Sequence, residues 1–332
     1  MPMRSSIAAA LIAFTTLSGC HQTNTPHAAL TNAPQPLVTP TYEGSGQAMH
    51  PSVVYFPKAW SGYNYWMAVT PYPYNNARVE NPSILTSNDG LHWVVPTALV
   101  NPVVQRMGAH LDDVDLLYES ASGQLWLYYL EEDLSNRTHV LRRTSADGIH
   151  WSAPSEMFSV PNYGVISPAV QKTNNGYMMW YVNAGSIGCK ASATSIEYRT
   201  SSDGVTWSAP SVANLAQPGH QIWHMEVRFI PAKQEYWALY AAYPKASCGD
   251  TTLYFATSKD GVNWQVSGSP ILAKGRGWSD WDRAQIYRST FLYDSDKDLF
   301  RVWYSAQRWH VWHTGYTEGI YSTVHSELHM HD

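Results

Sequence analysis

The sequence predicts an all-β fold: a five-bladed β-propeller with about four short antiparallel strands per blade. Three observations predict it. The pattern Ser-x-Asp-Gly-x-x-Trp recurs four times, ending at Trp93, Trp151, Trp207 and Trp264, spaced 58, 56 and 57 residues apart. A pair of aromatic-rich strand segments precedes each copy and recurs a fifth time without it. No long stretch carries the 3.6-residue periodicity of a helix.

The units follow in chain order. Pro51-Ser-Val-Val-Tyr-Phe pairs with Tyr65-Trp-Met-Ala, then Ser87-Asn-Asp-Gly-Leu-His-Trp93. Asp113-Val-Asp-Leu-Leu-Tyr pairs with Leu125-Trp-Leu-Tyr-Tyr, then Ser145-Ala-Asp-Gly-Ile-His-Trp151. Ser167-Pro-Ala-Val pairs with Tyr177-Met-Met-Trp-Tyr, then Ser201-Ser-Asp-Gly-Val-Thr-Trp207. Met225-Glu-Val-Arg-Phe-Ile pairs with Tyr236-Trp-Ala-Leu-Tyr, then Ser258-Lys-Asp-Gly-Val-Asn-Trp264. Arg288-Ser-Thr-Phe-Leu-Tyr pairs with Phe300-Arg-Val-Trp-Tyr and runs into Trp312-His-Thr-Gly-Tyr-Thr. Asp-Gly between apolar runs is a hairpin turn, because Gly takes the positive φ the turn requires and the Ser and Asp side chains satisfy its amides. The blades fall near 49–103, 108–158, 163–214, 221–273 and 283–325. A β-sandwich leaves the period of about 57 residues unexplained.

Composition agrees with a folded domain. The chain has 332 residues, of which 44% are hydrophobic, 13% aromatic and 14% charged, which excludes a disordered polymer. Its 15 Trp and 22 Tyr far exceed its 7 Phe. Such side chains pack strands, and their flat faces and polar tips also suit sugars. A net charge of −5 without a basic run excludes nucleic acid as a partner.

Arg4 precedes an apolar stretch, Ile7 to Leu17, too short to span a bilayer, and Leu17-Ser18-Gly19-Cys20 follows. This resembles the lipobox of bacterial lipoproteins, with residues 1–20 the signal and Cys20 the lipidated residue. His21 in place of Asp implies the outer membrane of a Gram-negative cell. Residues 21–47, rich in Thr, Asn, Pro and Ala, read as a flexible tether, and 326–332 as a disordered tail. Membrane attachment is expected only through the lipid, and the propeller is expected to be a monomer. Cys189 and Cys248 follow the second strands of neighbouring blades in an exported chain, which predicts a disulfide; two buried thiols are the alternative.

The Asp-Gly turn resembles the Asp-box of sialidases, one residue shorter, so Asp89, Asp147, Asp203 and Asp260 are structural. Across most of residues 48–325 the chain resembles the five-bladed furanosidase-like superfamily, glycoside hydrolase families 43, 62, 32 and 68. His50-Pro-Ser-Val-Val-Tyr-Phe-Pro, Tyr65-Trp-Met-Ala-Val-Thr-Pro-Tyr-Pro, Glu80-Asn-Pro-Ser-Ile, Trp223-His-Met-Glu-Val and Tyr287-Arg-Ser-Thr look like a bacterial and phage branch of it. The resemblance implies carboxylates at the starts of the innermost strands, around the mouth of a central tunnel.

Read at those positions, Glu226 matches the superfamily's general acid, one blade later than usual, and Asp113 its base or nucleophile. Strand alternation puts Asp113 and Asp115 on one face and Asp112 on the other. His50, Asp115, His224, Tyr287, Arg288, Asp282 and Glu80 are the expected substrate-binding residues. His50 departs from the pattern, since many relatives carry the catalytic base Asp there. No Cys/His zinc spacing exists, the C-terminal His325, His329 and His331 only resemble a metal-binding tail, and no cofactor is expected; the resemblance allows a structural calcium ion in the tunnel. The expected function is hydrolysis of a furanosidic or acidic-sugar linkage in a surface or environmental polysaccharide. A non-catalytic glycan-binding lipoprotein is the alternative, and a lyase or phosphorylase a third.

Overall fold

A computed structural model describes residues 28–107, 109–244, 246 and 248–329. Cys20 and the expected signal segment lie outside the described residues. The repeats become five antiparallel sheets. Blade 1 holds β1 (Ala48–Trp60), β2 (Tyr63–Pro71) and β3 (Ser83–Ser87). Blade 2 holds β4 (His110–Glu119), β5 (Gln124–Glu132), β6 (Arg137–Ser145) and β7 (Ser155–Pro161). Blade 3 holds β8 (Ile166–Thr173), β9 (Gly176–Asn183), β10 (Ser195–Ser201) and β11 (Ser211–Ala213). Blade 4 holds β12 (Gln221–Ile230), β13 (Glu235–Tyr243), β14 (Thr252–Ser258) and β15 (Trp264–Val266). Blade 5 holds β16 (Gln285–Asp294), β17 (Leu299–Arg308) and β18 (Val311–Ile320). The innermost strands β1, β4, β8, β12 and β16 lie side by side around the axis, and β16 returns against β1 to close the ring.

The Asp-boxes show why the repeat needs those residue types. In the first, Ser87 Oγ accepts the Gly90 N–H at 2.9 Å, and Asp89 Oδ1 accepts the N–H groups of Leu91 and His92 at 2.8 Å each. The other three repeat this set. Each box glycine has positive φ and also receives the second-strand tryptophan of a neighbouring blade. Trp303 Nε1 donates to Gly90 O at 2.7 Å and Trp180 Nε1 to Gly261 O at 2.6 Å, while Trp66 and Trp126 lie against Gly148 and Gly204. The blade-four tryptophan, Trp237, has no box to meet, because blade 5 lacks one. It stacks instead on Tyr321, ring centroids 4.1 Å apart, at the start of helix α1 (Tyr321–His329).

That helix corrects the expectation of a disordered tail from residue 326: Val324 and Leu328 are buried against blades 4 and 5. The described part of the expected tether, 28–47, is also packed. Leu30 N–H donates to Ile271 O and Leu37 N–H to Thr314 O, each at 2.8 Å, and Leu30 is buried. Its apolar and amide groups find partners along blades 4 and 5, which a free linker would leave in water. Cys189 and Cys248 form the predicted disulfide, joining the β9–β10 loop of blade 3 to the β13–β14 loop of blade 4.

Candidate functional site

Each innermost strand carries an irregularity near its start. The register skips between Met49 and Ser52, Asp112 and Asp115, Ile166 and Ala169, Ile222 and His224, and Ile286 and Ser289. A β-bulge adds one residue and re-aims a side chain. Five bulges at one level of a ring therefore turn their residues toward a common point. His50, Asp113 and Ser167, at equivalent bulge positions, all have positive φ (55°, 47° and 55°), a strained backbone for side chains other than glycine.

The bulges bring His50, Asp113 and His224 together from blades 1, 2 and 4. Asp113 Oδ1 lies 3.6 Å from His50 Nε2, 3.2 Å from His224 Nδ1 and 3.5 Å from Arg288 Nη1. Its other oxygen accepts the Ser167 N–H at 2.7 Å. All three side chains are buried, yet His50 Nε2, Asp113 Oδ1 and both ring nitrogens of His224 lack a hydrogen-bond partner. Buried polar atoms are ordinarily paired. Two imidazole nitrogens and a carboxylate oxygen within 4.8 Å of one another fit a divalent cation by donor type and spacing. His50 Nδ1 faces Thr70 Oγ1 at 3.2 Å, the Asp113 N–H at 3.4 Å and Glu80 Oε1 at 3.5 Å. Nδ1 either accepts the Asp113 N–H or, protonated, donates to Thr70; only the second tautomer frees Nε2 as a ligand.

The charges are consistent with that use. Burial pushes the Asp113 carboxyl upward, but attraction to the two imidazoles when they are charged, the hydrogen bond from His224 and the permanent charge of Arg288 together bring it below the usual range. Burial holds His50 and His224 below the usual imidazole value, in the neutral form that ligates metals. Beside them, burial and neighbouring carboxylates push Glu80 and Asp112 well above the usual range. His110 reaches Glu132 at 3.0 Å and Asp112 at 3.6 Å. Against its burial, these partners raise it to about 9. Glu80, His110 and Asp112 form a second set of converging ligand atoms. Tyr287 closes the other side, 4.2 Å from the His224 ring and 5.8 Å from His50. Its hydroxyl accepts Trp223 Nε1–H at 2.7 Å, leaving the phenol proton available as a donor.

The expected acid–base pair has a different setting. Glu226 lies 3.1 Å from Arg228 and 3.8 Å from Arg288, the arginine that also faces Asp113. Burial pushes its carboxyl up to about 8 against the attraction of Arg228. The two acids thus share one guanidinium, Arg288. Asp115 sits one level below Asp113, displaced by the bulge that strand alternation does not anticipate. It accepts Ser52 Oγ–H at 3.1 Å and the Val170 N–H at 2.8 Å, sewing blades 1, 2 and 3 together. Asp282 is buried and accepts Asn32 Nδ2–H at 2.6 Å and the Tyr304 hydroxyl at 3.0 Å, so it fastens the N-terminal segment. Sequence reasoning named His50, His224, Glu80, Tyr287 and Arg288 without seeing a metal set, read Ser167 as the blade-three position, and missed Thr70 and His110. A His or Ser just before Pro at a strand start, as in His50-Pro51 and Ser167-Pro168, was the available signal of a bulge.

No protein-family model matches the chain. It is 32% identical over 309 residues to the A type blood N-acetyl-alpha-D-galactosamine deacetylase of Flavonifractor plautii, a match covering 78% of this chain. The chain spans 40% of that protein's length. It superposes on an N-acetylgalactosamine deacetylase from F. plautii, solved in complex with blood group B trisaccharide, with a TM-score of 0.85 and 28% identity, covering 91% of this chain and 98% of that one. The fold is that of carbohydrate-active five-bladed propellers. A thermostable family-43 glycoside hydrolase shares the propeller with a TM-score of 0.60 at 14% identity, covering 81% of this chain and 88% of that one. That likeness shows the fold alone. It does not carry the expected furanosidic cleavage, since the more similar relatives of this propeller are deacetylases.

Proposed function

We propose that the chain is a metal-dependent carbohydrate N-deacetylase that removes the acetyl group from an N-acetylated amino sugar on a surface glycan. The observation that carries this reading is the convergence, at the buried starts of the innermost strands, of ligand atoms from His50, Asp113 and His224 that lack hydrogen-bond partners. The likeness to the F. plautii deacetylase supports the reaction class.

A divalent cation bound there supplies Lewis acidity toward an amide carbonyl and lowers the pKa of water. Asp113, kept ionised by its neighbours, and the neutral His50 and His224 hold it. Thr70 fixes the His50 ring. Glu80, whose buried carboxyl holds a proton more readily than usual, would take the proton of the attacking water and return it to the departing amine. Water adds to the acetyl carbon, the C–N bond breaks, and acetate and a free amino sugar leave. Burial holds Tyr287 protonated, as a hydrogen-bond donor for the oxygen that gains charge. Lipidation at Cys20 would place the propeller on the cell surface, and the disulfide suits an oxidising compartment.

The test is acetate release from a panel of glycans ending in N-acetylhexosamines, before and after chelation. Expected is release that chelation abolishes, that zinc, manganese or cobalt restores, and that Asp113→Asn or His224→Ala eliminates. Release of a free sugar instead of acetate, or full activity in chelator, would overturn the assignment.

A further inference from the structure

Two tryptophans depart from the burial pattern of the rest. Trp66, Trp180, Trp237 and Trp303 are fully buried, whereas Trp278 and Trp309 are 71% and 65% exposed. Their rings meet edge to face, centroids 6.1 Å apart. Trp309 and His310 form the β17–β18 turn. The pairings Arg308↔Val311 and Gln285↔Gln307 put that turn at the same end of blade 5 as the start of β16, the mouth end. His310 contacts Asn75 Nδ2 at 2.7 Å, Asn75 Oδ1 accepts Trp312 Nε1–H at 2.6 Å, and Trp312 packs 5.1 Å from Tyr287. The indole pair thus stands on the rim, beside the metal-ligand cluster and separate from it.

Two arginines cover these rings. The Arg308 guanidinium lies 3.7 Å from the Trp309 ring centroid and 5.8 Å from that of Trp278, and Arg283 lies 4.8 Å from Trp278. Among the described residues the arginines with a carboxylate within 4.0 Å are Arg106, Arg228 and Arg288. Arg283 and Arg308 therefore present cations with no acidic partner, in a chain of net charge −5. A flat apolar face takes the C–H face of a pyranose. A guanidinium beside it takes a carboxylate or sulfate through paired N–H donors.

We propose that Trp278, Trp309, Arg283 and Arg308 form a surface binding site for an acidic polysaccharide, a polymer carrying uronate or sulfate groups. The occupant follows from charge complementarity: a neutral glycan would leave both guanidiniums unused. The site does not depend on the deacetylase reading. It would hold a polymer against the rim whatever reaction the centre performs.

The experiment is native electrophoresis of the full chain through gels containing hyaluronan, chondroitin sulfate, dextran or double-stranded DNA, at low and raised salt. The two acidic polysaccharides separate uronate from sulfate recognition. Expected is retardation by at least one of them, weakened by salt, with no comparable retardation by dextran or DNA. Trp278→Ala with Trp309→Ala, and separately Arg283→Gln with Arg308→Gln, should each weaken it at least about tenfold while the thermal midpoint stays at the wild-type value. The single Trp278→Ala variant serves if the double variant unfolds. No retardation of the wild type by either acidic polymer, equal retardation by dextran or DNA, or unchanged retardation of the variants would each overturn the proposal.

Discussion

Thr70 faces His50 Nδ1, the nitrogen turned away from Asp113 Oδ1, and under the proposed function its hydroxyl would select the tautomer that frees Nε2. Thr70→Val keeps the shape and removes the hydroxyl. It should weaken divalent-cation affinity about 10–100-fold, read by chelator competition, with the fold intact by circular dichroism. Arg288 is the opposite case, a residue whose loss is structural. It is completely buried, faces Asp113 and Glu226, and donates to Pro168 O at 3.0 Å. Arg288→Met leaves the buried Asp113 without its arginine, while Glu226 keeps Arg228, and should cost roughly 3–5 kcal/mol in denaturant unfolding. His50, Asp113 and Arg288 are each visible as residues in the sequence. Their mutual distances are not, because the positions are spread over blades 1, 2 and 5.

At the scale of the element, the Asp-box links local turn chemistry to packing between blades. Gly148 and Gly44 both have positive φ, but only Gly148 receives a tryptophan, Trp66, where a Cβ would stand; Gly44 has open space. Gly44→Ala should therefore cost about 1 kcal/mol from backbone strain alone. Gly148→Ala should cost clearly more and lower the thermal midpoint further, because strain and overpacking add. The box aspartates also contribute to stability at acid pH. The N–H groups of Thr206 and Val205 pull Asp203 down to about 2, below the roughly 3.9 of an unfolded chain. A carboxyl depressed in the folded state stabilises it above the unfolded pKa, and that share is lost as pH falls through the folded value. Asp203→Asn should accordingly lower the urea midpoint at pH 7 and flatten its fall between about pH 4 and pH 2. All four boxes were legible in the sequence, because Ser, Asp, Gly and Trp act within seven residues. The bulges were not, since a bulge is defined by the partner strand's register.

For the whole molecule, closure of the ring is the organising constraint. The disulfide between blades 3 and 4 joins residues 59 apart in sequence. Cys189→Ser with Cys248→Ser should lower stability by about 2–4 kcal/mol, measured by denaturant unfolding in matched buffers. Near closure, the chain adds parts that no repeat announces. Residues 28–37 run along blades 4 and 5, Tyr42 and Gln47 reach blade 1, and α1 covers Trp237 where a fifth Asp-box would have stood. Both read as polar ends in the sequence because their few apolar anchors, Leu30, Tyr321, Val324 and Leu328, are meaningful only against the surface they meet.

The sequence by itself determined the repeat, the blade count, the disulfide and the structural role of the four box aspartates, because each follows from chemistry local to one unit or from the period between units. Only the tertiary structure decided what the inner-strand residues do. It set Asp113 and Glu226 around one arginine, and brought ligand-type atoms of His50, Asp113 and His224 within 4.8 Å of one another. The physical reason is that a bulge rotates a side chain by its partner's register, and a ring axis joins residues that no spacing along the chain connects.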